Sequence, residues 1–514
     1  MPDAATFRDW TPTFLYLLLT STLGPLLFGY HLAELNEPQA VITCAANRPT
    51  DPHSTTTTIT PHLPQCIPMT PLQFGLITSI FTLGGLLGAL AGGPITTHSG
   101  RLRAMLLASV FATLGPALEA LTPNLAFFAV GRFVAGLGAG AATVIVPIYI
   151  SEIAPPAQRG FFGSATQVMI NMGILITQVL GLFLSKGQLW RVVLGAGGLI
   201  GALQGVGLML GGKESPRWLA EHGKLGQARR VLQATRGKDA DIEGEIASWN
   251  TADAPDADDE EERLLSSPDH EPNDHPRTGS ASAPSKQPTA TKPSDFPHPI
   301  HFFNILLDPH LRPAVLAVVM IMTAQQLTGI NSIVMYGVSL LSDLLAANAA
   351  ILNVLVGVLN VVVTVSAAPL IDSLGRKTCL LLSISGMGTS SLVLAFGIMR
   401  AIPVLSAIAV LTFVASFGVG LGPVPFILSS ELVPPEVVGV AQSWALGANW
   451  IATFLVAQFF PLVNERLGKG QVYFLFAGFG VLFGALTVWM VPETRGKGSV
   501  EEVWGRKRDG ARED

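Results

Sequence analysis

The sequence predicts an all-α integral membrane protein whose twelve transmembrane helices form two six-helix halves. Three observations lead there. The first is composition: of 514 residues, 49% are hydrophobic and only 13% charged, with a mean hydropathy of +0.47. An ordinary soluble domain carries about 25% charged residues, so this chain has roughly half the usual means of facing water. The second is a set of uncharged runs: Val192–Gly212, Pro313–Ser342, Leu344–Ile371, Thr378–Met399, Ala401–Ser430 and Val437–Asn464. Each reaches the ~20 residues that a helix needs to cross a ~30 Å hydrocarbon core. The third is an internal repeat. Phe133–Gly160 and Phe413–Gly439 share an opening Phe-Val-Ala, several glycines, a Ser-Glu pair (Ser151-Glu152 and Ser430-Glu431) and a Pro-Pro. Gly100-Arg101 returns as Gly375-Arg376, and Glu214-Ser-Pro-Arg as Glu493-Thr-Arg, at offsets of 275 to 280 residues. Parallel repeats of this kind build transporters whose site lies between the halves.

Hydropathy and turn residues place the spans near 13–33, 72–95, 104–121, 125–150, 163–185, 191–211, 313–341, 346–371, 378–399, 404–430, 437–462 and 472–491. Asp3, Arg8 and Asp9 precede the first span, which lacks the basic lead of a signal peptide and is expected to be retained. Residues 1–211 make the first half, with a Thr/Pro-rich loop at 36–70. Residues 212–312 form a connector. Its Glu214–Glu245 part is amphipathic and reads as short helices. Its Thr251–Ile300 part holds nine Pro and 11 acidic residues with few apolar ones, too little surface to offset chain entropy, and reads as disordered. Residues 313–491 make the second half, and 492–514 a tail. Lys/Arg bias puts the connector and both termini in the cytosol.

Net charge is −5, of which Thr251–Ile300 alone supplies −7, so the acidity describes one loop and the remainder is +2. No basic stripe with interleaved aromatics points to nucleic acid. Cys44, Cys66 and Cys379 form no Cys-x-x-Cys pair, so metal and redox motifs are absent. Cys44 and Cys66 share the outer loop, where a disulfide and two free thiols are both open readings. Gly136-x-Gly138-x-x-Ala141 matches a dinucleotide fingerprint but sits inside a span with no strand before it, so its glycines are read as packing surfaces. No catalytic constellation is present, and neither enzyme chemistry nor a cofactor is expected.

The chemistry lies in amides. A sugar presents hydroxyls that both donate and accept, and Gln and Asn match them. Within a span such groups need partners or a wet cavity. Gln167, Asn171 and Gln178 fall on one helical face, as do Asn353, Asn360 and Thr364. Gln325, Gln326 and Asn331 do not, but Gly329 between them permits local unwinding onto one cavity. Interhelical bonding is the alternative reading for any such residue, and for a lone Asn it is preferred.

In its motifs the chain resembles the sugar porter family of the major facilitator superfamily. They are Phe28-Gly29-Tyr30 with Asn36 and Pro38-Gln39, Gly100-Arg101, Gly131-Arg132, Tyr149-x-Ser-Glu152 with Arg159-Gly160, Glu214-Ser-Pro-Arg217, the run Gln325–Asn331, Asp372-x-x-Gly-Arg-Lys377 and Pro492–Gly496. The resemblance covers nearly all of the chain outside the two long loops and implies the major facilitator fold. It also implies sugar contacts at Gln167, Gln325, Gln326, Asn331, Asn360, Asn449 and Trp450, the last of which either stacks on a pyranose or simply packs. Two departures stand out. Gly418 and Phe426 occupy places where the family often carries an acid and a tryptophan, so the pocket is less polar and glucose is not assumed.

Arg101, Glu152, Arg159, Arg217, Arg376, Lys377, Glu431, Glu493 and Arg495 gather at cytosolic helix ends, where opposite charges can latch one conformer, with Glu152 and Arg159 as expected partners. Arg132 is expected to pair with a neighbour or snorkel outward. His31 stands where proton-coupled members carry Asp, and Glu34 lies one turn further out, so these two are the candidate proton-coupling groups. Water at the span's end is expected to keep Glu34 ionised, which favours uniport over proton symport. A non-transporting sugar sensor is the rival of another class. The implied partners are a small sugar or polyol and the lipid bilayer. The segment Glu260–Leu265, an acid four residues before Leu264-Leu265, resembles an adaptor-read sorting signal. The run Phe28–Asn36 resembles a fungal vacuolar subgroup, which favours that membrane.

Overall fold

The structure, a computed structural model, describes residues 10–45, 62–237, 240–250, 305, 307–345, 348–434, 437–468, 470–497 and 500–505. The Thr251–Ile300 segment and the dileucine at Glu260–Leu265 lie outside the described residues. Every regular element among the described residues is helical, and twelve candidate spans are long and apolar enough to cross a membrane.

The first half comprises α1 (Pro12–Ala33), α2 (Pro71–Ser99), α3 (Arg101–Ala120), α4 (Leu125–Ile153), α5 (Arg159–Leu184) and α6 (Trp190–Gly211). Local sequence sets most starts. Thr11 accepts from the Phe14 N–H ahead of Pro12, Thr70 and Gln73 form a reciprocal capping box, and Asn124 accepts from the Phe127 N–H. The start of α3 is different. The Glu214 carboxylate arrives from the connector and accepts from the N–H groups of Arg101 (2.7 Å) and Leu102 (3.2 Å). A negative charge there satisfies orphan donors at the positive end of the helix.

The connector folds as α7 (Pro216–Glu221), α8 (Leu225–Arg236) and α9 (Glu243–Asn250). The second half holds α10 (Arg312–Leu327), α11 (Ile330–Leu345), α12 (Asn348–Leu374), α13 (Arg376–Met399), α14 (Pro403–Val419), α15 (Val424–Glu431), α16 (Val438–Leu467) and α17 (Val472–Met490). Two spans are broken, the seventh at the glycine where unwinding was expected and the tenth where it was not. The seventh divides into α10 and α11 at Gly329, whose φ of +99° suits glycine, and a Cβ there would lie 2.6 Å from the Phe476 ring. The tenth divides into α14 and α15 across Gly420–Pro423.

The sequence repeat is also a packing repeat. α3 packs along α4 and α6 as α13 packs along α14 and α17, while α1 lies on α5 as α10 lies on α16. Glu493 caps α13 as Glu214 caps α3, accepting from the N–H groups of Arg376 (2.9 Å) and Lys377 (3.1 Å). The halves meet where α2 packs on α16 and α5 on α12, two pairings that exchange under the repeat. In the outer loop Cys44 and Cys66 are joined as a disulfide. The loop just before Cys66 is tied down: Gln188, Trp190 and Arg191 donate to the carbonyls of Leu63, Gln65 and Pro64, each at 2.8 Å.

Candidate functional site

The two broken spans touch. Where α14 ends, the carbonyls of Leu421 and Gly422 are released from helical bonding, and Gln325 Nε2 donates to both, at 2.6 and 3.1 Å. Non-helical backbone at membrane depth needs such a partner. The Gln325 Oε1 accepts from Asn449 Nδ2 (2.7 Å) and from Gln326 Nε2 (3.2 Å). Asn331, brought round by the bend at Gly329, donates to Gln326 Oε1 at 2.6 Å. Four amides from three helices thus form one continuous network, and none of them carries a charge. Each amide both donates and accepts, so the network can exchange internal bonds for hydroxyls of a polyol at little cost in unpaired groups.

The polar faces of α5 and α12 do not both look into open space; they meet. Asn171 Nδ2 donates to Thr364 Oγ1 (2.8 Å), Asn171 Oδ1 accepts from Asn360 Nδ2 (3.3 Å), and Gln167 Nε2 donates to Asn171 Oδ1 (3.2 Å). Further along, Asn353 donates to Glu37 at 2.8 Å. Trp450 is buried and packs across the halves, with its ring centroid 5.4 Å from Phe28 and 6.4 Å from Phe81. Its indole fills the space that a side chain at Gly85 would need. Gly418 lies against α12, and Phe426 is 43% exposed.

At the end of the molecule carrying the 36–70 loop, the halves are bonded to one another. Asn36 donates to the Val334 carbonyl (2.9 Å) and accepts from the Val338 N–H (3.0 Å), and Ser79 donates to Gln458 (2.8 Å). At the connector end the charges pair within each half. Arg101 makes a two-pronged contact with Glu152, at 2.9 and 2.6 Å, and Arg376 pairs with Glu431 at 3.1 Å. Arg159, expected beside Glu152, instead lies exposed 3.7 Å from Glu245 of α9, because the buried Arg101 fork already occupies both Glu152 oxygens. Arg217 pairs with Glu221 on its own helix, and Glu493 serves as the cap of α13 while also accepting from the Arg495 N–H.

His31 and Glu34 belong to a fully buried charge cluster. Glu34 Oε2 lies 2.9 Å from His31 Nδ1, and Glu34 Oε1 accepts from the Arg132 guanidinium. Arg132 also donates to the His31 carbonyl at 3.1 Å and lies over the Phe81 ring, 4.6 Å from its centroid. Glu119, at the end of α3, sits 3.8 Å from the same guanidinium and lies beside the Glu34 carboxyl. Arg132 therefore takes the partner course and not the snorkelling one. Glu34 is sealed from water, not bathed in it: the turn after α1 is buried and the Glu34 carboxyl is held by Arg132 and His31. Sequence reasoning passed over Glu119. Its signal was an acid closing an otherwise uncharged helix end, which in a membrane is a functional candidate by default.

The Sugar (and other) transporter family model matches residues 17–267 and 291–504. The chain is 34% identical over 490 residues to the probable metabolite transport protein YBR241C of Saccharomyces cerevisiae, covering 95% of this chain and 94% of that one. It is 31% identical to the human solute carrier family 2, facilitated glucose transporter member 4 (95% and 89% covered). It is 29% identical to the yeast vacuolar protein sorting-associated protein 73 (95% and 95%). Among solved structures, the partially occluded inward-open xylose transporter XylE of Escherichia coli superposes with a TM-score of 0.71 at 23% identity, covering 95% of this chain and all of that one, a likeness of fold. The chain is a multi-pass membrane transporter and not an enzyme, and it belongs to the sugar porter family of the major facilitator superfamily.

Proposed function

We propose that the chain moves a hexose or related polyol by alternating access, with the sugar held by Gln167, Gln325, Gln326, Asn331, Asn360, Asn449 and Trp450. The observation that carries this reading is the uncharged amide network across the two helix breaks, Gln325 to Asn449 and Asn331 to Gln326. Such a site suits a neutral, hydroxyl-rich solute and gives no countercharge for an ionic one. The name of the human relative, a facilitated glucose transporter, supports a hexose. In this conformation the loop end is bonded shut, and the within-half pairs Arg101–Glu152 and Arg376–Glu431 leave the connector end free to open. The connector is read as cytosolic, so this is an inward-facing form.

The transport mode is read as uniport, which the facilitated transporter in the human relative's name supports now that buried Glu34 no longer argues for it. Proton symport is the second reading, and one observation favours it: Glu34 and Glu119 share the single guanidinium of Arg132, so one proton must sit on Glu34, Glu119 or His31 if the buried cluster is to be neutral. Uptake of radiolabelled D-glucose, D-fructose, D-mannose and myo-inositol into proteoliposomes under an imposed pH gradient decides between them. Uniport predicts equilibration without accumulation, unaffected by Glu34→Gln. Ionophore-sensitive accumulation that disappears in Glu34→Gln establishes symport instead. Sugar binding without any uptake would establish a sensor. For the membrane, the vacuolar reading draws on the yeast vacuolar sorting-associated relative and on the dileucine at Leu264-Leu265. A fluorescently tagged chain at the cell surface would count against it.

A further inference from the structure

Asn171 is buried to 2% exposure on α5, and four neighbouring polar contacts converge on its one side chain. Its Nδ2 donates to Thr364 Oγ1 at 2.8 Å and approaches Asn360 Oδ1 at 3.5 Å. Its Oδ1 accepts from Gln167 Nε2 at 3.2 Å and from Asn360 Nδ2 at 3.3 Å. An amide has two N–H donors and two acceptor lone pairs, so Asn171 is saturated by protein groups and has nothing left for a solute. It joins α5 of one half to α12 of the other, and it touches both Gln167 and Asn360, the two proposed sugar amides of that interface. With one Nε2 N–H of Gln167 turned inward to Asn171, its Oε1 and its second N–H are left for the solute, and the bond to Asn171 fixes where both point.

The same stretch of α12 is also approached by α14. At Gly418 on α14 a Cβ would lie 2.9 Å from Val363 Cγ1 and 3.7 Å from Thr364 Oγ1. A side chain at 418 would have to shift the Val363 methyl. Thr364 takes its polar partner from α5, through Asn171.

We propose that Asn171 is a positioning residue that sets sugar affinity and hydroxyl selectivity by fixing Gln167 and Asn360 across the interface of the two halves. The inference rests on the sugar-site reading given above. Its test is a double-mutant cycle on D-glucose uptake in proteoliposomes, with Asn171→Val combined in turn with Gln167→Ala and Asn360→Ala. Asn171→Val is expected to raise KM about tenfold while kcat stays within about twofold, the pattern of lost binding interactions. In the Gln167→Ala or Asn360→Ala background the same change is expected to raise KM less than about threefold, since one of the groups it positions is gone. A full tenfold penalty in both backgrounds overturns the proposal and leaves Asn171 as interhelical packing; an unchanged KM in Asn171→Val overturns it as well. If Asn171→Val does not fold, Thr364→Val, which removes only the anchor that Asn171 donates to, must raise KM in the same direction, and an unchanged KM there is a refutation. A wild-type chain that takes up none of D-glucose, D-fructose, D-mannose and myo-inositol sinks the sugar reading and this inference together. Uptake with additive cycles sinks this inference alone.

Discussion

Arg132→Met should largely abolish the folded protein, with detergent-extracted material losing its monodisperse peak and any survivor melting far below the wild type. The reason is charge bookkeeping in hydrocarbon. The Arg132 guanidinium is the only permanent cation within reach of Glu34 and Glu119 among the described residues, and all three side chains are fully buried. Removing one partner of a buried pair costs about 3–5 kcal/mol, because the remaining charge is left without water or counterion. Against a typical net stability of about 5–15 kcal/mol, that loss is decisive. The lost contact over Phe81 and the freed His31 carbonyl add to it. The triple variant Arg132→Met, Glu34→Gln, Glu119→Gln should regain much of the melting temperature, since no net charge remains buried. If the triple variant melts as low as the single one, the cluster's charges are not what holds this region, and lost packing at α4 is the better account.

Gln325→Leu should raise the apparent KM for sugar about 30- to 150-fold in the protein that reaches the membrane, and lower surface expression because the broken backbone loses its donor. Leucine matches the size of glutamine but leaves the Leu421 and Gly422 carbonyls without their donor, and Asn449 and Gln326 without their acceptor. Two net hydrogen bonds at about 1–1.5 kcal/mol each correspond to that range, each 1.4 kcal/mol being tenfold. Asn331→Ala, which removes a single bond to Gln326, should cost roughly tenfold by the same arithmetic. Titration calorimetry with the transported sugar checks both. Unchanged sugar binding in the two variants would remove these residues from the pocket and leave the network as a brace between the broken helices.

Much of this molecule is legible from the chain because a membrane allows few solutions. Backbone groups in hydrocarbon must be paired internally, so a run of twenty uncharged residues is a helix almost by necessity, and all twelve expected spans are found. The repeat was legible because Gly100 and Gly375, and Glu214 and Glu493, do the same local work at two helix starts. The bend of the seventh span was also legible, since Gly329 separates amides that no straight helix could bring together. The break of the tenth span was not. Gly420, Gly422 and Pro423 signal weakness there, but only the presence of Gln325 from another helix makes the broken backbone tolerable.

Sequence by itself determined the class, the number of spans, the two halves and which residues share a helical face. Helical periodicity reports the faces of one helix and is silent on what each face meets. Tertiary structure alone decided that the amide faces of α5 and α12 bond to each other across the halves, and that Glu152 takes Arg101 and not Arg159. It alone joined Cys44 to Cys66, two residues that sequence left open as either a disulfide or free thiols. It alone closed Glu34 over Arg132, 98 residues away, and added Glu119 to the pair. Contacts at such separations depend on where helices cross, and the crossing is fixed by side-chain packing between elements that the linear chain does not bring near one another.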